Sequence, residues 1–173
     1  MIHWVHGDIL DSDCNYICQQ VNCRGVMGSG LAKQIRDRWP QVYENYRAKY
    51  AEAIWNRVRI LGDIQICALY EDYDKTDFHQ HVVNFFSQDG YGNDGRRYTS
   101  YDAFWNCLHW LNKCAGPDAT IAIPYNIGCG LGGGNWEVIY TMIKEVLSSR
   151  EIYIYYRSEV DLPLIDKKRA GIR

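Results

Sequence analysis

Asn22-Cys23-Arg24-Gly25-Val26-Met27-Gly28-Ser29-Gly30-Leu31-Ala32 is the stretch on which the reading of this sequence turns. An apolar-rich, strand-like run, Tyr16–Val21, leads into it. A helix-like run, Leu31–Trp39, leads out of it and stops at Pro40. Gly25, Gly28 and Gly30 let backbone N–H groups approach an anion with no Cβ in the way. The helix N-terminus behind them adds partial positive charge. A second segment of the same kind, Asn126-Ile127-Gly128-Cys129-Gly130-Leu131-Gly132-Gly133-Gly134-Asn135-Trp136, joins the strand-like Thr120–Pro124 to a helix expected over Trp136–Leu147. Asn135 suits the N-cap of that helix. Either loop alone is compatible with a plain tight turn. Two of them at equivalent strand-to-helix positions suggest a diphosphate held between them.

Outward from these loops, strands and helices alternate. Ile2–Val5, Ile64–Ala68, Val82–Phe86 and Glu151–Tyr156 read as strands, and Val42–Ala53 as a helix. Thr99–Cys114 carries Tyr101, Phe104, Trp105, Leu108 and Leu111 at spacings of three and four, a helix with a wide apolar face capped by Thr99 or Ser100. This order predicts an α/β fold of three layers, α/β/α, with a mostly parallel central sheet. In such sheets ligands sit at the carboxyl ends of strands, where both glycine loops lie.

Composition bounds the rest. The chain of 173 residues is 47% hydrophobic and 23% charged, which excludes a disordered or fibrous chain and predicts one domain over 1–173 with a basic tail from about residue 158. A net charge of −2 disfavours a uniformly basic nucleic-acid binder. Lys33, Arg36, Arg38 and the basic C-terminal cluster read as solvated faces, so direct nucleic-acid binding is not favoured. The sequence contains no apolar run near ~20 residues and no basic, apolar leader at its start, which predicts a cytoplasmic chain with no membrane contact. Seven cysteines, with no C-x-x-C pair, argue against a disulfide framework or zinc site; neither metal nor cofactor is expected. Two phosphate motifs also fail. Gly25 and Gly30 have P-loop spacing, but Leu31 follows where a lysine is required. Gly128, Gly130 and Gly133 match G-x-G-x-x-G, but only one further strand follows, so half of a dinucleotide-binding fold would be missing.

Four stretches in order resemble the macrodomain, the ADP-ribose-binding family. They are Gly7-Asp8-Ile9-Leu10; Val21 through Ala32; Ile123-Pro124 through Gly133 with Trp136-Glu137; and the final strand Ile152–Tyr156. The G-V-M-G-x-G-L-A and G-x-G-L-G-G-x-x-W-E versions look like the branch containing the terminal ADP-ribose glycohydrolase and antitoxins that remove ADP-ribose from DNA. The resemblance implies that Asp8 accepts from the adenine amino group and that the Ile9 N–H meets a ring nitrogen. It implies that Gly28, Ser29, Gly30 and Leu31 hold one phosphate, and that Ile127, Gly128, Cys129, Gly130 and Leu131 hold the other phosphate and the distal ribose. Tyr155 or Tyr156 would stack on adenine, and Asn22 would reach the distal ribose hydroxyls unless its side chain is spent on its own loop. The implied partner is ADP-ribose or an ADP-ribosylated molecule.

Catalysis is where the chain departs from that branch. The branch's nucleophilic lysine falls at Gln88 here, in Phe85-Phe86-Ser87-Gln88-Asp89, and an amide nitrogen is not a useful nucleophile. An aspartate that some members carry after G-C-G-L falls at Gly132. Lys75 lies too early to substitute. A water-based mechanism would draw on Asn22 and Gln88, with Asp89, His79 and His81 as further candidates. Cys129, near a helix N-terminus, is a further nucleophile candidate, disfavoured for want of a positioned base. The polar segment Gln88–Tyr101 is expected to form a wall of the site, with Arg96 or Arg97 meeting an extra phosphate unless it is a solvated hinge. The alternative to turnover is a non-catalytic reader or sink for an NAD-derived nucleotide.

Overall fold

The computed structural model describes residues 1–69, 80–160 and 162–172. Six strands form one sheet: β1 (Ile2–His6), β2 (Tyr16–Asn22), β3 (Ile64–Ala68), β4 (His81–Gln88), β5 (Thr120–Pro124) and β6 (Glu151–Tyr156), in the order β1-β6-β5-β2-β4-β3. All neighbours are parallel except β3, which runs antiparallel to β4 at the edge.

Side-chain alternation along each strand sets the layers. Cys18, Val83, Phe85, Ile121, Ile123, Ile152 and Ile154 pack under α3 (Tyr101–Cys114) and α4 (Trp136–Val146). Ile17, Val21, Val82, Phe86 and Ala122 face α1 (Gly30–Arg38) and α2 (Pro40–Asn56) on the other side. Pro40 divides α1 from α2. It cannot continue α1 but suits the first turn of α2, whose leading N–H groups have no helical partner in any case.

The structure refines four expectations. Ser100, not Thr99, caps α3, accepting from the Ala103 N–H at 3.3 Å. Strand β4 extends to Gln88, so the segment taken as loop begins one residue later. A 3₁₀ turn, Ile9–Asp11, follows β1. The basic tail holds a six-residue helix, α5 (Leu164–Arg169). It is anchored by the fully buried Asp166, which accepts from Arg169 at 2.6 Å and from the Tyr125 hydroxyl at 3.1 Å.

Candidate functional site

Two adjoining cavities, about 580 and 360 Å³, run along the carboxyl ends of the parallel strands and share Gly30, Leu31, Pro124, Tyr125 and Asn126 as lining. Together they form one cleft between the two glycine loops.

The first loop is organised by Asn22. Its Oδ1 accepts from the Arg24 N–H at 2.9 Å and the Tyr46 hydroxyl at 2.8 Å, and its Nδ2 donates to the Val26 carbonyl at 2.7 Å. Gly30 stands at φ +57, a conformation that glycine adopts freely. Ser29 occupies the N-cap of α1 but makes no side-chain cap bond. The N–H groups of Gly28, Ser29, Gly30 and Leu31 find no acceptor among the described residues.

The second loop is folded on itself. The Ile127 N–H donates to Pro124 and the Cys129 N–H to Asn126, so neither is available to an anion. The Gly128 carbonyl accepts from the Gly134 N–H at 2.9 Å and from the Thr99 hydroxyl at 2.7 Å. The N–H groups of Gly128, Gly130 and Leu131 have no acceptor among the described residues.

Beneath this loop lies a polar cluster that sequence reasoning missed. Gln20 Nε2 donates to Gln88 Oε1 at 3.1 Å and to Thr99 Oγ1 at 2.8 Å, while Gln20 Oε1 accepts from Ser87 at 2.8 Å. Gln88 Nε2 donates in turn to the Gly90 carbonyl at 2.7 Å. One signal was present: two adjacent glutamines inside an otherwise apolar strand, where an unpaired amide would be costly. The cluster also explains Gly132. A Cβ there would collide with Thr99 Oγ1 and lie 2.6 Å from the Gly128 carbonyl oxygen and 2.9 Å from Gln20 Nε2. The space that an aspartate would need is already filled.

At the other end of the cleft, Asp8 caps the 3₁₀ turn, accepting from the Leu10 N–H at 3.0 Å. Its second oxygen accepts from Arg157 Nη2 at 2.7 Å. Partial burial pushes the Asp8 carboxyl up, but the Leu10 N–H and the Arg157 guanidinium outweigh it and hold it below the usual carboxylate range. Ile9 is buried and lines the smaller cavity with Tyr155 and Tyr156. The two tyrosine rings take opposite faces of the sheet. Tyr155 packs in the cluster that holds Ile9 and Leu31, whereas Tyr156 stacks on His6 at 5.3 Å and tilts against Trp4.

Several candidates stand apart from this arrangement. His81 starts β4, seven residues from Gln88, hence about 23 Å down the strand at ~3.3 Å per residue, and its ring stacks on Tyr16. Burial pushes the Cys129 thiol up to about 12, the reverse of what a nucleophile at a helix N-terminus needs. Asp89 is exposed and faces Arg24 at 3.8 Å. Arg96 pairs with Asp94 at 2.9 Å, and Arg97 lies over the Tyr101 ring at 4.4 Å. The wall of the larger cavity is made by Tyr91, Gly92 and Asn93 instead. Lys75 and His79 lie outside the described residues. Among the described residues, no Asp, Glu, His, Lys or Arg lines the larger cavity, and no group of acidic, histidine or cysteine side chains is placed to hold a metal ion. On α1, Lys33 and Arg36 pair with Asp37, and Arg38 with Asp11, as a solvated face does.

A parallel-centred sheet between two helical layers, with paired glycine loops meeting over one cleft at the carboxyl ends of the strands, defines the architecture of this protein. Solved structures share this architecture. The chain superposes on Thermosipho africanus DarTG in complex with ADP-ribose with a TM-score of 0.75 at 21% identity, covering 95% of this chain and 44% of that one. The macrodomain of Mycobacterium tuberculosis DarG gives 0.68 at 24%, covering 91% and 99%. In sequence, the chain is 31% identical over 161 residues to an uncharacterized 17.5 kDa protein from the tk-vs intergenic region of Enterobacteria phage T4, spanning 89% of this chain and 95% of that protein. It is 27% identical over 138 residues to the DNA ADP-ribosyl glycohydrolase of Mycobacterium tuberculosis, covering 79% of this chain and 36% of that protein. The chain thus spans well under half the length of the curated glycohydrolases it matches. No family model matches the sequence. The chain has the macrodomain fold, and in sequence it is similar to the curated DNA ADP-ribosyl glycohydrolases. No helix among the described residues is long and apolar enough to cross a membrane.

Proposed function

We propose that the cleft binds ADP-ribose, free or as a terminal group on a modified molecule, with the adenine at the Asp8 end and the distal ribose beside the Gln20–Gln88 cluster. The observation that carries this reading is the pair of loops whose N–H groups, at Gly28–Leu31 and at Gly128, Gly130 and Leu131, lack acceptors among the described residues and border one cavity. Two such cradles suit the two phosphates of a diphosphate, which accept from backbone N–H groups and need no lysine or arginine. Asp8 and the Ile9 N–H would meet the adenine edge, since a carboxylate accepts from its amino group. Tyr155, on the Ile9 side of β6, would offer the ring. Asn22 would contribute its remaining amide N–H. Seven free thiols suit a reducing cytoplasm, the compartment we assign.

The names of the curated relatives favour a second reading, removal of the ADP-ribosyl group. The chain's own residues offer no lysine at position 88 and no room for a carboxylate at 132. Turnover would therefore run through a water oriented by the Asn22 and Gln88 amides, and it would be slow. The partner, whether DNA, protein or free nucleotide, is set by what is joined to the distal ribose.

Calorimetric titration with ADP-ribose tests binding, with Asp8→Ala as the control. Micromolar affinity weakened by the substitution supports the reading, and no heat from the unmodified chain removes it. Release of ADP-ribose from a modified DNA oligonucleotide, assayed with the unmodified chain and with Gln88→Ala, separates hydrolase from reader.

A further inference from the structure

Arg157 follows β6 and reaches across the base end of the cleft. One guanidinium nitrogen, Nη2, donates to Asp8 Oδ2 at 2.7 Å and to Gln34 Oε1 at 2.5 Å. Gln34 sits on α1, and its own Nε2 donates to the Gly30 carbonyl at 3.3 Å. A continuous relay therefore joins Asp8, after β1, through Arg157 and Gln34 to the first glycine loop. Gln34 and Arg157 both line the smaller cavity. With side-chain exposures of 53% and 36%, the Arg157–Asp8 pair contributes little to stability as a surface ion pair, so its geometry calls for another explanation.

We propose that Arg157 is a positioning residue for base selection, fixing the Asp8 carboxylate so that its free lone pairs accept a 6-amino group and repel a 6-oxo group. This rests on the reading of the cleft as an ADP-ribose site. A carboxylate has about four lone-pair sites. The Leu10 N–H takes one on Oδ1 and Arg157 one on Oδ2, which restrains the carboxylate and leaves its remaining acceptor positions free beside the smaller cavity, which its neighbours Gly7 and Ile9 line. Without Arg157 the group is held from one side only. It is then free to turn away from a ligand that does not donate, and discrimination falls. Gln34 acts one step further out, holding Arg157 against the first loop.

The test compares ADP-ribose with its inosine counterpart, in which a 6-oxo group replaces the amino group, by calorimetric titration of the full chain. The unmodified chain is expected to prefer ADP-ribose by about tenfold or more, the size of one hydrogen bond to a charged group. Arg157→Ala is expected to bring that ratio within about threefold, with the thermal midpoint held. Arg157→Lys, which can still meet Asp8, is expected to recover part of it, and Gln34→Ala to lower it less than Arg157→Ala. A ratio unchanged in Arg157→Ala, or both ligands weakened equally, overturns the inference while leaving the ADP-ribose reading in place. No ADP-ribose binding by the unmodified chain overturns both. Should Arg157→Ala fail to fold, the Arg157→Lys and Gln34→Ala ratios decide.

Discussion

Placing a methyl group at Gly132 and at Gly130 separates what the second loop needs in order to fold from what it needs in order to bind. At Gly132 the new Cβ would lie 2.6 Å from the Gly128 carbonyl oxygen and 2.9 Å from Gln20 Nε2, and would press on Thr99 Oγ1. Thr99 can escape only by rotating, which breaks its bonds to Gly128 at 2.7 Å and from Gln20 at 2.8 Å. Two such bonds are worth about 1–3 kcal/mol together. The Gly128 carbonyl must move as well, and overpacking of this kind costs about 1–3 kcal/mol. Partial relaxation leaves a net loss of about 3 kcal/mol for Gly132→Ala. With an urea slope of about 2 kcal/mol per molar, that moves the unfolding midpoint down by about 1.5 M. At Gly130 a Cβ meets nothing within 4 Å among the described residues and the backbone is not in the left-handed region. Gly130→Ala should therefore unfold within about 0.5 kcal/mol of the unmodified chain, yet its methyl stands where a phosphate would approach. Its ADP-ribose affinity should fall tenfold or more. Urea titration followed by tryptophan fluorescence, with calorimetry on the same samples, reads both quantities. A Gly132→Ala midpoint within 0.3 M of the parent would refute the packing argument. Gly130→Ala binding at full strength would refute the placement of the phosphate.

Thr99→Val keeps the shape of the side chain but leaves the Gly128 carbonyl and Gln20 Nε2 each short of one partner, so it should cost about 1–3 kcal/mol in urea unfolding, while Thr99→Ser should cost under half as much. Burial pushes the Cys129 thiol up to about 12, which keeps it protonated at pH 8. Iodoacetamide followed by peptide mass spectrometry should label the exposed Cys114 well before it, and Cys129 labelled first would reverse the assignment. Burial raises the Asp8 carboxyl, but the Leu10 N–H and Arg157 more than offset this and hold it below its ordinary 3.8. A group with a lowered value keeps its charge as pH falls until that value is passed, so the Asp8 contribution to ADP-ribose binding is present at neutral pH and lost only in strong acid. Affinity should stay level from pH 8 to about pH 5, and a decline centred near pH 6 would point to another group.

What the sequence reveals of this molecule is what chain-local physics controls. The glycine loops are legible because close backbone approach and positive φ leave a mark in residue type, as Gly25, Gly30, Gly128 and Gly133 do. The apolar runs at Ile17–Val21 and Val82–Phe86 mark the central strands because both faces are covered. The direction of β3 is not legible, since the same Ile64–Ala68 pattern serves either orientation. Helix α5 is too short for periodicity to register, and a single buried carboxylate, Asp166, holds it. The Asn22 side chain was expected either at the ribose or in its own turn, and most of its hydrogen-bonding capacity goes to the turn. Gln20 and Thr99 meet across 79 positions of chain, so no local pattern announces their bond.

That long-range contact bears on why the chain carries both glycine loops but neither a lysine at 88 nor a carboxylate at 132. Gln88 is held at both ends of its amide, by Gln20 and by the Gly90 carbonyl, and Gln20 is held in turn by Ser87 and Thr99. A lysine at 88 would remove one of the two acceptors of Gln20 Nε2 and would set a cation beside an amide N–H. An aspartate at 132 would displace Thr99 and the Gly128 carbonyl that shapes the loop. The residues at 88 and 132 are therefore coupled through Gln20 and Thr99, and changing either alone breaks the support of the second loop before it supplies a reactive group. Buried amide clusters are worth most when every member is paired and least when one is missing. On the proposed reading of the cleft, the hydrogen bonds that fill it therefore favour holding a diphosphate over presenting a nucleophile at 88.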